Sequence, residues 1–318
     1  MKQISVYHVD AFTRRPFEGN PAGVVPDAGE LTLTQMQKIA NQLNLSETAF
    51  LLPPSDPEAD FRVRYFTPQV EIPFCGHATI ASAWLLANES GWADRADHIT
   101  FETQVGLIPV YWEKEGKEAV KVTMTQIPPK VKEAPFIDKL ALAGLIGIDA
   151  EQLDERYPIK LAHTGNWTLI VPVKTHQAVD AAKPKQQELA AFHKQHSINN
   201  THLFTFDAKP GVDLYTRDFA PSIGIPEDPV TGSANGALAG YLALENLTGG
   251  KTDLIIGQGD ALGRPGTLYV TVLKKGAGKE AAAEPGTDTD DAADTDVMIQ
   301  VGGAAHVTIE GTLRLTES

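Results

Sequence analysis

Six side chains in this sequence are of kinds that move protons or hold a small anion. They are Glu47, Cys75 and His77 in the first half, and Asp228, Thr231 and Ser233 in the second. A carboxyl group in a dry cleft is pushed toward neutrality by desolvation, which makes it a useful acid or base near pH 7. The Ser233 hydroxyl, in the first turn of a helix, can cap that helix or hold a substrate oxygen. Each residue also has an ordinary reading: a surface carboxylate for Glu47, a turn or N-cap residue for Asp228, plain caps for Thr231 and Ser233. His77 also reads as a satisfied buried imidazole, and Cys75 as a small buried side chain as readily as a reactive thiol. Their convergence is what argues for a site.

The segments carrying these residues are alike. Phe74–Asn88, FCGHATIASAWLLAN, and Glu227–Leu244, EDPVTGSANGALAGYLAL, each run a short turn into a helix whose faces are all small or apolar. A helix apolar all round is buried. Free backbone N–H groups at its first turn, together with its dipole, form an anion site, most simply for a carboxylate. Upstream signals recur in the same order: Tyr65-Phe66-Thr67-Pro68 against Asp218-Phe219-Ala220-Pro221, and Gly19-Asn20 against Gly165-Asn166. We read a duplicated unit of domain size, with the two helix N-termini facing one cleft.

A chain of 318 residues suits two domains of about 150 each. The start, MKQISVYHVDAF, has no apolar run behind its Lys, and no apolar stretch reaches spanning length, so neither a signal peptide nor a membrane span is expected. One cysteine excludes an internal disulfide and points to a reducing compartment, the cytoplasm. A net charge of −14 disfavours nucleic acid as a partner. Residues 276–296 hold one Lys and seven acidic side chains, and without them the balance is −8; this composition reads as a mobile loop between two strands. No Walker A, GxGxxG after a strand, HExxH or G-x-S-x-G occurs, and no Cys/His grouping has zinc spacing, so no cofactor and no metal is expected.

Periodicity places strands at Ile4–Phe12, Asn20–Val25, Thr48–Leu52 (after Glu47, which sits at a helix-to-strand junction), Phe61–Phe66, Ile99–Thr103, Gly106–Tyr111 and Ala119–Met124, with an amphipathic helix over Thr32–Asn44. Gln126–Pro135, QIPPKVKEAP, reads as a linker. Beyond it, Phe136–Gly147, Ala150–Arg156 and Gln186–His196 read as helices. Leu169–Val173, His202–Phe206, Val212–Phe219, Leu254–Ile256, Leu268–Lys274, Val297–Val301 and Ala305–Arg314 read as strands. The expected class is α+β: two pseudo-symmetric domains, 1–125 and 136–318, joined by 126–135. Each is a mainly antiparallel, barrel-like sheet wrapped around its hydrophobic helix, the first closed by the C-terminal strand region.

HVDAF (8–12), GNPAGVV (19–25), SETAF (46–50), YFTP (65–68), CGHAT (75–79), RDFAP (217–221), EDPVTGSA (227–234), GQG (257–259), RPG (264–266) and VGGAA (301–305) span the chain in order. Together they resemble the phenazine-biosynthesis-like isomerases, which share the fold of diaminopimelate epimerase. The resemblance implies a cofactor-free, metal-free homodimer acting on a small cyclic or amino carboxylic acid in the interdomain cleft. Glu47 would carry the proton, as the glutamate of the phenazine-pathway member does on a dihydro-hydroxyanthranilate, with His77, Asp228 and Ser233 as the other catalytic residues. Asn20, Ser46, Cys75, Gly76, Thr231 and Gly232 would bind the substrate. Related racemases use two thiols, one per half; here Cys75 faces Thr231 in the repeat, so two-thiol chemistry is excluded. A non-catalytic carboxylate-binding protein on the same fold, or a structural dimer with an occluded cleft, are the alternatives.

Overall fold

The computed structural model describes residues 2–274 and 296–315; the acidic segment expected to be a loop lies outside them, Asp296 apart. The first half runs β1 (Lys2–Ala11), β2 (Asn20–Val25), α1 (Leu33–Leu43), β3 (Glu47–Leu52), β4 (Phe61–Phe66), β5 (Glu71–Ile72), α2 (Gly76–Glu89), β6 (His98–Thr103), β7 (Gly106–Glu115) and β8 (Glu118–Thr125). The second runs β9 (Lys130–Glu133), α3 (Lys139–Ile146), β10 (Lys160–His163), β11 (Trp167–Pro172), α4 (His176–Ala181), α5 (Gln186–His196), β12 (Asn200–Thr205), β13 (Leu214–Ala220), β14 (Ile225–Asp228) and α6 (Gly232–Leu244). It finishes with β15 (Asp253–Gln258), β16 (Gly266–Lys274), β17 (Val297–Gly303) and β18 (Ala305–Leu315).

The internal repeat is visible strand by strand. One ladder is β18–β1–β2–β3–β4–β6–β7–β8, in which only β2–β3 and β4–β6 are parallel. The other is β9–β10–β11–β12–β13–β15–β16–β17, parallel at the matching places, β11–β12 and β13–β15. The ladders join where β8 pairs antiparallel with β17. Each parallel pair requires a crossover: α1 makes the first, α4 and α5 its counterpart, while α2 and α6 lie within the others.

α2 packs against β1, β2, β3, β8 and β18, strands from both ends of its ladder, so the sheet curls around the helix; α6 meets β9, β10, β11, β16 and β17 in the same way. Both helices are therefore buried on every side, as their composition requires. α1 covers the outer face of the first sheet, where Met36, Ile39 and Ala40 pack with Val25, Phe50 and Phe66. α3, α4 and α5 cover the second through Leu142, Val179 and Leu189.

Three readings of local structure need correction. Residues 126–135, expected as linker, contain β9, which pairs with β10, and the stretch is held against α6 by a Gln126 Nε2–Gly232 carbonyl bond of 3.1 Å. The Pro pair hid a short strand whose partner comes about thirty residues later. Since β18 pairs with β1 at the other end of the chain, each half's ladder is completed by a strand from beyond the other half's last common strand. Ala150–Arg156 is only a 3-10 turn over Ala150–Gln152, because Leu153 leaves the helix to bridge Val173. The helix expected over Phe136–Gly147 begins at Lys139, where the Asp138 carboxylate accepts from the Ala141 N–H.

Candidate active site

β3 and α2 bring together the first three chemical residues. Glu47 is the first residue of β3, opposite Ala22 on β2, with its carboxylate turned to the start of α2. His77 Nε2 lies 3.3 Å from Glu47 Oε2, and Cys75 Sγ lies 3.5 Å from His77 Nδ1. All three are buried, at 7%, 8% and 7% exposure for Glu47, His77 and Cys75. Burial, and then the Glu47 carboxylate, push the Cys75 thiol well above its ordinary pKa, so it is held as a thiol.

The second half supplies the opposite wall. Asp228, at the end of β14, accepts from Asn20 Nδ2 at 2.9 Å and from Thr231 Oγ1 at 2.5 Å. Desolvation raises its pKa to about 6, against the pull of His77 and of the Thr231 hydrogen bond. Asp228 also bears electrostatically on Cys75 and Glu47, so the carboxyl groups of the two halves share one environment. No side chain caps either helix: Cys75 and Thr231 stand at the N-cap positions of α2 and α6 without closing them.

The expected binding residues divide. Asn20 is fully buried, and its Nδ2 bridges to Asp228 and to the Val230 carbonyl across the two halves, while its Oδ1 has no protein partner among the described residues. Ser46 Oγ, beside Glu47 in sequence, is likewise buried without a partner. Thr231 is engaged with Asp228, so its hydroxyl is part of the frame. Gly76 and Gly232 open the two helices, with Met124 and Phe12 against them. Ser233 is half-buried in the first turn of α6, and its carbonyl accepts from Thr164. A surface cavity of about 420 Å³ lined by Trp84, Asn88, Glu118 and His306 contains none of these residues.

Several positioning residues carry no chemistry of their own and were not anticipated in these roles. Gln258 donates to the Asp228 carbonyl and to Thr231 Oγ1, and accepts from the Thr231 N–H and from Asn235 Nδ2. Behind it, Asn235 Oδ1 faces His202, whose Nδ1 lies 2.9 Å from Asp218 Oδ1, and Asp218 in turn accepts from Asn200. Arg217 clamps Glu227, the residue before Asp228, with two 2.8 Å bonds. Arg264 holds the turn before Asn20 through the Glu18 and Gly19 carbonyls and Asp10. Gly19 (φ +62°) must be glycine, since a Cβ there would stand 2.1 Å from the Ala11 carbonyl oxygen. Gln258 and Asp218 lie in GQG and RDFAP, motifs the sequence offered without a role for either residue, and His202 carried no signal of its own.

Comparison with known proteins decides the family. Residues 9–288 match the phenazine biosynthesis-like protein family. The chain belongs to that family. It is 39% identical over 273 residues to an uncharacterised isomerase of Salmonella typhimurium, covering 84% of this chain and 89% of that one. It is 35% identical over 263 residues to the trans-2,3-dihydro-3-hydroxyanthranilate isomerase of Pseudomonas chlororaphis, covering 82% and 87% of the two chains. The crystal structure of a phenazine biosynthesis protein of Bacillus anthracis superposes with a TM-score of 0.85 at 33% identity, over 99% of this chain and all of that one. The protein is thus an enzyme of an isomerase family with the doubled α+β fold. No described helix is long and apolar enough to cross a membrane.

Proposed function

We propose that this isomerase moves a proton on a small cyclic or amino carboxylic acid without a cofactor, with Glu47 as the acid/base. The observation that carries the reading is the buried Glu47–His77 pair at 3.3 Å facing an Asp228 whose pKa is raised to about 6. A carboxylate shielded from water and touching an imidazole can take a proton from a ring or α-carbon and return it to another position. Asp228, protonated at least in part near neutral pH, presents a hydrogen-bond donor or a second proton where negative charge develops. Ser233 and the first-turn N–H groups of α2 and α6 would hold the substrate carboxylate. Asn20 and Thr231 fix Asp228, and Ser46 supplies a further hydroxyl beside the base. The relative from Pseudomonas chlororaphis, named for a dihydro-hydroxyanthranilate, makes that compound the first to try here. We extend the proposal to a cytoplasmic homodimer of two domains, 1–125 and 136–318.

The test is solvent-deuterium wash-in followed by NMR over a panel of small carboxylates, wild type beside Glu47→Gln. Exchange into one compound that vanishes in Glu47→Gln supports the assignment. Near-normal exchange in that variant overturns it, and saturable binding of a carboxylate without any exchange would favour a binding protein.

A further inference from the structure

The Cys75 thiol has no part in the proton transfer just proposed, yet it lies against both groups that do. Glu47 comes from β3 and the other two from the start of α2, so no spacing in the sequence could bring the three together. One ligand atom from each of Glu47, Cys75 and His77 lies within 4.8 Å of the others. The Glu47 Oε2–His77 Nε2 separation is 3.3 Å. Two ligands about 2.0–2.1 Å from a tetrahedral ion are separated by about 3.3 Å. Cys75 Sγ stands 4.0 Å from His77 Nε2. The tetrahedral nitrogen–sulfur separation is about 3.5 Å, and the sulfur, now nearer Nδ1 than Nε2, must swing toward the Nε2 side by rotation of the Cys75 side chain to reach an ion there.

We propose that Glu47, Cys75 and His77 form a zinc site that turns the active site off. One thiolate, one imidazole and one carboxylate select zinc over magnesium or calcium, which prefer oxygen ligands alone. Three protein ligands leave a fourth position for water or a substrate oxygen. As the sulfur–zinc bond forms, the thiol proton leaves to solvent, and the ion's charge offsets the burial of a thiolate beside a carboxylate. Zinc so held occupies the Glu47 oxygen and the His77 nitrogen at once. The inhibitory consequence rests on the role proposed for Glu47; the binding does not.

The test uses the whole chain, freed of metal with a chelator and titrated with Co2+, then with Zn2+ and Mg2+. One Co2+ per chain should appear with a thiolate-to-cobalt charge-transfer band that Zn2+ displaces and Mg2+ does not. Cys75→Ser should lose the band and bind Zn2+ at least about tenfold more weakly, a loss of about 1.4 kcal/mol. Should Cys75→Ser fail to fold by circular dichroism, Glu47→Gln serves: it keeps the band and weakens the metal. The site is overturned by no stoichiometric Zn2+, by Co2+ bound without the band, or by full Zn2+ affinity in Cys75→Ser. Stoichiometric Zn2+ with undiminished deuterium exchange would support the site and sink the assignment of Glu47 instead.

Discussion

The two halves of the molecule are built on one plan and equipped differently. Glu47 stands opposite Ala22 on the neighbouring strand, and Asn200 stands opposite Thr168 at the matching point of the second half. The first is a carboxylate against an imidazole in the candidate site. The second is an amide that donates to Asp218 and accepts from Thr168 inside a buried polar network. Ala49 and Tyr65 face each other in the first half where His202 and Asp218 do in the second. The helix openings differ as well, Cys75-Gly76-His77 against Thr231-Gly232-Ser233. One copy gathers a carboxylate, an imidazole and a thiol; the other buries a polar network behind Asp228 that fixes that residue in place. Duplication supplied the symmetry, and substitution at register-matched positions gave the halves separate work.

The sharpest way to break this division is to exchange the matched residues. Glu47→Asn should lower turnover by roughly 10²–10⁴-fold, the usual worth of a general base, while leaving the urea midpoint near wild type. Asn200→Glu should do the reverse in kind, unfolding the second half by placing a carboxylate beside buried Asp218. Equal loss of stability in both variants would remove the distinction.

Two buried groups of the second half should also answer acid in opposite directions. His193, buried and 2.8 Å from Thr201, is held neutral by desolvation, which lowers its pKa to about 4. Its contribution is complete above its unfolded pKa near 6.5 and is lost as pH falls from there toward 4, up to about 3 kcal/mol. Asp228, raised to about 6, acts oppositely, its charged form destabilising the fold progressively between pH 4 and 6. Asp228→Asn should therefore stabilise at pH 7 by roughly 1–3 kcal/mol and lose that gain by pH 4. Denaturant midpoints across pH 4–8 check both signs.

A smaller contrast lies in the helices. Gly240 of α6 lies under Pro129, and a Cβ there would stand 2.4 Å from the Pro129 Cβ; α2 has Trp84 at the matching position. Gly240→Ala should cost roughly 1–3 kcal/mol from overpacking, despite the better helix propensity of alanine. Smallest is the cap: α1 opens with a capping box of Thr32 and Gln35, whereas α5 opens at Lys185 with no side-chain cap. Thr32→Ala should cost about 1 kcal/mol and Lys185→Ala under about 0.5, read as urea midpoints.

Much of this could be read from residue types because the local signals were strong. β2, β4 and α5 begin and end at the expected residues, β2 because the Gly19-Asn20 turn marks its start and β4 because alternation fills it. Glu47, Cys75, His77, Asp228 and Asn20 were each picked out as candidate site residues, but their mutual contacts come only from the fold. Other elements were silent. β10 is four residues of KLAH with no clear alternation, and α4 is six residues, too short for a helical period to show. The exchange of β9 and β18 was half legible: closure of the first half by the C-terminal strands was expected, but the reciprocal strand was disguised by its prolines. The network through Asn200, His202, Asp218, Asn235 and Gln258 was hidden because each member comes from a different stretch and only tertiary contact makes it a unit.

The pairing of β1 with β18 has a consequence for how the chain is made. Tyr7 lies opposite Glu310, so β1 meets its neighbour only after about three hundred further residues have been made. Until then its outer hydrogen-bonding edge has no mate, a state that invites pairing with another copy. Contacts of such sequence separation fold slowly, because loop closure precedes any reward from them. For this protein, synthesis itself is the vulnerable interval: a nascent chain arrested before residue 305 should remain a target for chaperones, however complete its first helix and strands already are.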